Sequence, residues 1–155
     1  MVDREHYEVV AKGMREAVLG GTCFSAAIPG IEVCGKTGTA ENPHGKDHSA
    51  FIGFAPYHNP KVSICVYVEN GGFGATYGVP IGKLMMEKYL TGELSEASKL
   101  IEEHMTHAIV SPNILSLSSH ELLEYQYMED GRLVYNHCLS ITDSGWLVQY
   151  LWSKL

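Results

Sequence analysis

The chain has 155 residues, 45% hydrophobic and 19% charged, with a formal net charge of −7. That length supports one domain, or one compact unit with an appendage. The acidic balance argues against nucleic-acid binding, which needs a basic patch, and no apolar run is long enough to span a bilayer. The N-terminus, Met-Val-Asp-Arg-Glu-His-Tyr-Glu, is too charged for a secretory signal, so the chain as written is expected in the cytoplasm. Cys23, Cys34, Cys65 and Cys138 fit no zinc or Cys-x-x-Cys spacing and read as small apolar side chains rather than a disulfide framework. The histidines show no ligand spacing either, so neither a metal nor a cofactor is expected.

Residues 3–19 predict an amphipathic helix with Asp3 as N-cap. Tyr7, Val10, Ala11, Met14, Ala17 and Val18 form its apolar stripe, and Gly20-Gly21 ends it through a left-handed C-cap. Three strands follow, at 31–40, 48–55 and 62–69. In the third, Val62, Ile64, Val66 and Val68 alternate with Ser63, Cys65 and Tyr67, the period of a strand with two different faces. The turn from Pro56 to Pro60 links the second and third strands. The simplest arrangement is an antiparallel meander. Residues 79–90 predict a helix with Pro80 in its first turn and Gly92 as stop, and 95–105 a more polar one.

Residues 106–155 change texture. Ser111-Pro112-Asn113 and residues 116–119 read as a linker. Residues 122–128, 132–141 and 146–152 then read as a small β-meander, punctuated by Asp130-Gly131 and Ser144-Gly145. The expected fold class is therefore α+β: an antiparallel β-meander flanked by helices over 1–105, plus a small β-rich segment within 106–155. Glu102-Glu103 reads as a solvated helix face. Trp146 and Trp152 read as meander packing rather than a ligand box.

The residues that point to chemistry are Lys36-Thr37-Gly38-Thr39. Strand alternation sends Lys36 and Gly38 to one face and Thr37 and Thr39 to the other. A cation, two hydroxyls and a glycine that permits close backbone approach suit an extended peptide bearing a carboxylate. Alone, the motif is also compatible with a plain edge strand. Its surroundings narrow it: Gly13-Met14-Arg15 through Gly21-Thr22, then Pro29–Glu41 around the motif itself, then Ala50–Pro56, then Val66–Gly74.

In this order, the segments resemble the C-terminal part of the transpeptidase domain of class B penicillin-binding proteins, in particular the elongation-type penicillin-binding protein 2. The likeness runs over about residues 3–103, and Pro80 to Thr91 resembles the domain's final helix. It implies a partial penicillin-binding protein/β-lactamase-like fold, in a family anchored in the inner membrane with a periplasmic catalytic domain. It implies a D,D-transpeptidase that cross-links peptidoglycan through an acyl-serine. The partner would be a stem peptide or a β-lactam. Lys36 would supply positive potential, Thr37 and Thr39 hydroxyls for the carboxylate, the Thr39 N–H an oxyanion contact, and Gly38 an open strand.

The family also requires Ser-x-x-Lys and Ser-x-Asn ahead of Lys-Thr-Gly. The residues three before each lysine are Val9, Val33, Pro43, His58, Pro80, Met85, Glu96 and Leu151. None is serine, so no catalytic residue is expected in this chain. The single Ser-x-Asn, Ser111-Pro112-Asn113, follows the Lys-Thr-Gly strand and is out of order. Two readings follow: an incomplete transpeptidase, inactive alone and completed by the N-terminal part of the domain, or a non-catalytic peptide- or β-lactam-binding or protein-interaction module. The textural break at 106 also fits a fusion or a shifted reading frame. The resemblance further implies that the strand at 62–69, without the strand that precedes it in the family, is an unpaired apolar edge.

Overall fold

The computed structural model describes residues 3–108, 134–141 and 146–153. In chain order these form α1 (Arg4–Gly20), a 3-10 turn (Phe24–Ala26), β1 (Cys34–Ala40), β2 (His48–Ala55), β3 (Val62–Val68), α2 (Gly78–Thr91), α3 (Glu96–His107), β4 (Val134–Ile141) and β5 (Trp146–Ser153). The strands make one antiparallel sheet in the order β1-β2-β3-β5-β4. The α+β class and the helix-flanked antiparallel meander hold.

The period-two pattern decides which face of the sheet is buried. Ser49, Phe51 and Ala55 on β2 are 0% exposed, and they lie in register with Val68, Val66 and Val62 on β3, all at 1% or less. α2 covers this face. An added Cβ on Gly82 would stand 2.5 Å from Phe51 Cδ1 and 3.6 Å from Val66 Cγ2. Phe51 sits in a slot cut by glycines, because a Cβ on Gly35 would also come within 2.5 Å of its ring and one on Gly53 within 2.8 Å. The absence of side chains at these positions lets one large aromatic join strands and helix. The opposite face is partly open: Ile52 is 48% and Tyr67 37% exposed, with the rings of His48 and Tyr67 5.3 Å apart.

Several boundaries differ from expectation for identifiable reasons. β1 begins at Cys34 rather than Ile31 because Ile31 is engaged in a bridge with Ile28, and the Val33 carbonyl accepts from Arg15 Nη1 (2.9 Å). α1 ends at Gly20, but Gly21 is extended (φ −103°, ψ −156°), not left-handed, and its N–H caps the Ala17 carbonyl. Asp3 occupies the N-cap position without a side-chain capping bond. The stripe along α1 is only half used: Val18 is buried, whereas Tyr7 and Val10 are about 60% exposed. Gly92 does stop α2 in the left-handed conformation (φ 84°).

The larger difference lies at the far edge of the sheet. The strand expected to be unpaired at 62–69 is paired on both sides, with β2 on one and β5 on the other. The C-terminal strands expected as a separate meander instead extend the main sheet as a hairpin. The expected strand at 122–128 lies outside the described residues.

Candidate functional site

β1 is an outer strand. Among the described residues its ladder partner is β2, from Cys34↔Phe54 to Ala40↔His48, and no strand lies on its other side. That leaves a row of backbone groups beside residues 36–39 available to an added extended chain. The expected alternation is present. Lys36 and Gly38 register with Ile52 and Ala50 on the partly open face, and Thr37 and Thr39 with Phe51 and Ser49 on the helix-covered face.

Lys36 is exposed, and its Nζ donates to the Thr37 carbonyl at 2.6 Å. The Thr37 hydroxyl meets the Thr22 hydroxyl at 2.9 Å, where either can donate. Thr22 closes the turn after α1, so the helix and the motif strand are tied at the motif itself. Arg15 adds a second tie, to the Val33 carbonyl. Thr39 is exposed. Gly38 faces Ala50, where an added Cβ would approach to 3.3 Å.

The loop between β3 and α2 braces the motif from the helix side. Gly74 lies so close that a Cβ there would stand 2.5 Å from the Gly38 oxygen and 2.4 Å from the Ala50 oxygen. Ser49 holds this loop. Its Oγ donates to the Phe73 carbonyl (2.9 Å) and accepts from the Gly78 N–H (3.0 Å). At the end of the β1–β2 hairpin, Asn42 Nδ2 donates to Asn70 Oδ1 (2.8 Å) and the Asn70 N–H donates to His48 Nδ1 (3.0 Å). Asn70 takes a positive φ of 56° there, a conformation asparagine tolerates better than most residues. The Gly72 N–H donates to the Asp47 carbonyl (2.7 Å).

Sequence reasoning did not single out Thr22, Ser49 or the Asn42–Asn70 pair. For Ser49 a signal existed: a hydroxyl at a core-facing position of an alternating strand must find partners. For Thr22 and Asn42 no local pattern announces a contact with residues so far along the chain.

Electrostatics add no nucleophile to this strand. Burial pushes the Cys34 thiol up to about 11, the Arg15 charge lowers it less, and Glu32 raises it further. A thiol held protonated at neutral pH is a poor nucleophile. Among the described residues one trio, Asp3, Glu5 and His6, brings three ligand-type atoms within 4.8 Å of one another. All three are exposed at the start of α1 and form no buried cage.

The profile of the penicillin-binding protein transpeptidase domain matches residues 1–87, more than half of the chain. The peptidoglycan D,D-transpeptidase PbpA of Mycobacterium tuberculosis is 44% identical over 98 residues, covering 54% of this chain and 20% of that protein. MrdA of Haemophilus influenzae, also a peptidoglycan D,D-transpeptidase, is 32% identical over 111 residues, covering 60% and 17%. Two solved structures superpose on the chain. One is the D,D-transpeptidase domain of a peptidoglycan glycosyltransferase from Eggerthella lenta (TM-score 0.50, 35% identity, 60% of this chain and 22% of that one). The other is penicillin-binding protein A of M. tuberculosis as its ceftriaxone acyl-enzyme (TM-score 0.52, 33% identity, 58% and 22%). The chain thus spans about a fifth of the length of these relatives. With an outer Lys-Thr-Gly strand braced by the loop after β3, and with the family profile matching 1–87, the chain belongs to the penicillin-binding protein transpeptidase domain family.

Proposed function

We propose that this chain forms the Lys-Thr-Gly wall of a peptidoglycan D,D-transpeptidase cleft, with β1 receiving the carboxylate end of a stem peptide or a β-lactam. The observation that carries this reading is the position of residues 36–39 on an outer strand with, among the described residues, no neighbouring strand beyond it. Lys36 supplies positive charge on the partly open face. Thr37 and Thr39 offer hydroxyls at the rim of the strand. In an antiparallel strand alternate residues present their N–H and C=O to the same side. The Thr37 carbonyl accepts from Lys36 Nζ, and the Thr39 N–H, on the same side of the strand as that carbonyl, would act as an oxyanion donor. Binding of an extended ligand would take over the Thr37 carbonyl and release Lys36 toward the incoming carboxylate.

Nothing among the 155 residues supplies the acylated serine, since no Ser-x-x-Lys occurs. In this reading residues 1–105 are the wall-bearing part of the domain, and the nucleophile belongs to the remaining, serine-bearing part. Acting alone, the chain binds without turnover. The test is mass spectrometry of the chain with a labelled penicillin, alongside amide NMR during titration with a peptide ending in D-Ala-D-Ala. The expected result is no covalent adduct, with shifts centred on Thr37 and Thr39 that Lys36→Ala weakens. A stoichiometric acyl adduct would overturn the claim that the nucleophile lies elsewhere. Shifts absent from β1 would overturn the wall.

A second reading is a binding module for stem peptides or β-lactams, or for another protein, with no catalytic partner. It is favoured by the same outer strand. It is separated from the first by adding the serine-bearing part of a transpeptidase domain in trans: acylation appears only if the chain completes a cleft.

A further inference from the structure

β3 has the composition of an association-prone strand. Its sequence, Val-Ser-Ile-Cys-Val-Tyr-Val, has no charge and no proline. Its register with β2 runs from Ser49↔Val68 to Ala55↔Val62 with no residue skipped, so no bulge twists its far edge away. Edge strands normally carry at least one such protection. Seven residues with high β-propensity and no charge are also the composition that pairs with copies of itself.

We propose that the hairpin formed by β4 and β5 is an intramolecular edge guard, occupying the β3 edge that a second copy of the chain would otherwise pair with. β5 pairs with β3 over six consecutive positions, from Ser63↔Ser153 to Val68↔Val148, and β4 covers β5 from Val134↔Ser153 to Ile141↔Trp146. The residue types fit the task. Val148, Tyr150 and Trp152 stand at the register positions of Val68, Val66 and Ile64, and β-branched and aromatic residue types are those enriched in strands. The new outer strand, Val-Tyr-Asn-His-Cys-Leu-Ser-Ile, also lacks Asp, Glu, Lys, Arg and proline and runs without a bulge, so its protection against further pairing is the polar Asn136, His137 and Ser140 that break its apolar run.

The guard comes from the far end of the chain, whereas the β1–β2–β3 meander is local. Long-range pairing forms more slowly than local pairing. During folding, the β3 edge is therefore open to a second molecule before its own hairpin arrives, and hairpins can be exchanged between copies.

The test uses the full chain carrying Tyr150→Pro together with Leu151→Pro. Adjacent strand residues direct their N–H groups to opposite neighbours, so one of the two prolines removes a donor facing β3. Hydrogen exchange and light scattering are compared with the parent chain. The expected result is exchange faster by at least about tenfold at the alternate residues of 62–68 whose N–H faces β5, unchanged protection in β1, β2 and α2, and concentration-dependent self-association. A synthetic peptide spanning residues 132–155, added in trans, should restore both protection and dispersity. Three outcomes overturn the proposal: unchanged exchange in β3 with no association, failure of the peptide to restore protection, or loss of protection throughout the chain. The last would make the hairpin part of the folding core rather than a guard on it.

Discussion

Gly74 and Ser49 fix how closely the loop after β3 approaches the Lys-Thr-Gly strand. The atoms that an added methyl at Gly74 would strike, the Gly38 and Ala50 oxygens, are backbone and cannot rotate away. Gly74→Ala should therefore cost about 1–3 kcal/mol by denaturant unfolding, and should shift the amide resonances of Gly38 and Thr39 while leaving those of α3 in place. Ser49→Ala acts differently. It strands the Gly78 N–H and the Phe73 carbonyl, both satisfied by one hydroxyl, and should cost about 1–3 kcal/mol. The motif residues themselves were legible because a cation, two hydroxyls and a glycine on one short strand form an unusual pattern. Their supports were not, because Ser49 bonds to residues 24 and 29 positions away and Thr22 to one 15 away.

Among the elements, α3 is tied to α2 by a buried carboxylate in addition to the packing of Met105 on the core. Glu87 on α2 is only 4% exposed. Its Oε1 accepts from the Ser95 N–H at 3.1 Å, and its Oε2 accepts from the Ser98 hydroxyl. Ser95 is also the N-cap of α3, accepting from the Ser98 N–H, so the start of that helix closes on the glutamate. Burial alone would raise the Glu87 carboxyl, but the bonds from Ser98 and Ser95 and the nearby Lys83 charge outweigh it, and the group lies below its ordinary value of 4.5. A depressed folded-state value means that the stabilisation is fully present above 4.5 and is lost as pH falls through the folded value. Amide exchange in α3 should therefore accelerate in acid before that of β1–β3 does. Glu87→Gln should flatten this acid limb relative to the parent. The helix start was readable from Ser95, since serine is a strong N-cap. The clasp was not, because a glutamate in an amphipathic helix ordinarily faces water.

At the scale of the whole molecule, the hydrophobic core of the described residues is a cluster joining Val18 of α1, Cys23 just before the 3-10 turn and Ala26 within it, β2, β3, and Met86 of α2. Phe51 is among the largest fully buried side chains, set against Gly35, Gly53, Gly78 and Gly82. Removing it leaves a cavity bounded by strands and helix alike. Phe51→Ala should cost about 3–5 kcal/mol and lower the midpoint of a single unfolding transition reported by both tryptophan-independent circular dichroism and β1 amide signals. Two separate transitions would show that the motif strand and α2 do not share one core.

At this scale the sequence by itself determined the family, the helix-flanked meander and the place of Lys36, Thr37, Gly38 and Thr39 on a strand. Each of these is written in local periodicity and in ordered short motifs, which need no partner to be recognised. Only the tertiary structure decided that half of the α1 stripe stays exposed, that Ser49 and Gly74 brace the motif, and that β5 pairs with β3. Strand alternation states that a face is apolar but not which distant segment meets it, and an edge advertises open backbone groups without naming the strand that fills them. The register between Val68 and Val148 is settled by pairing across the length of the chain, and no local window of sequence contains it.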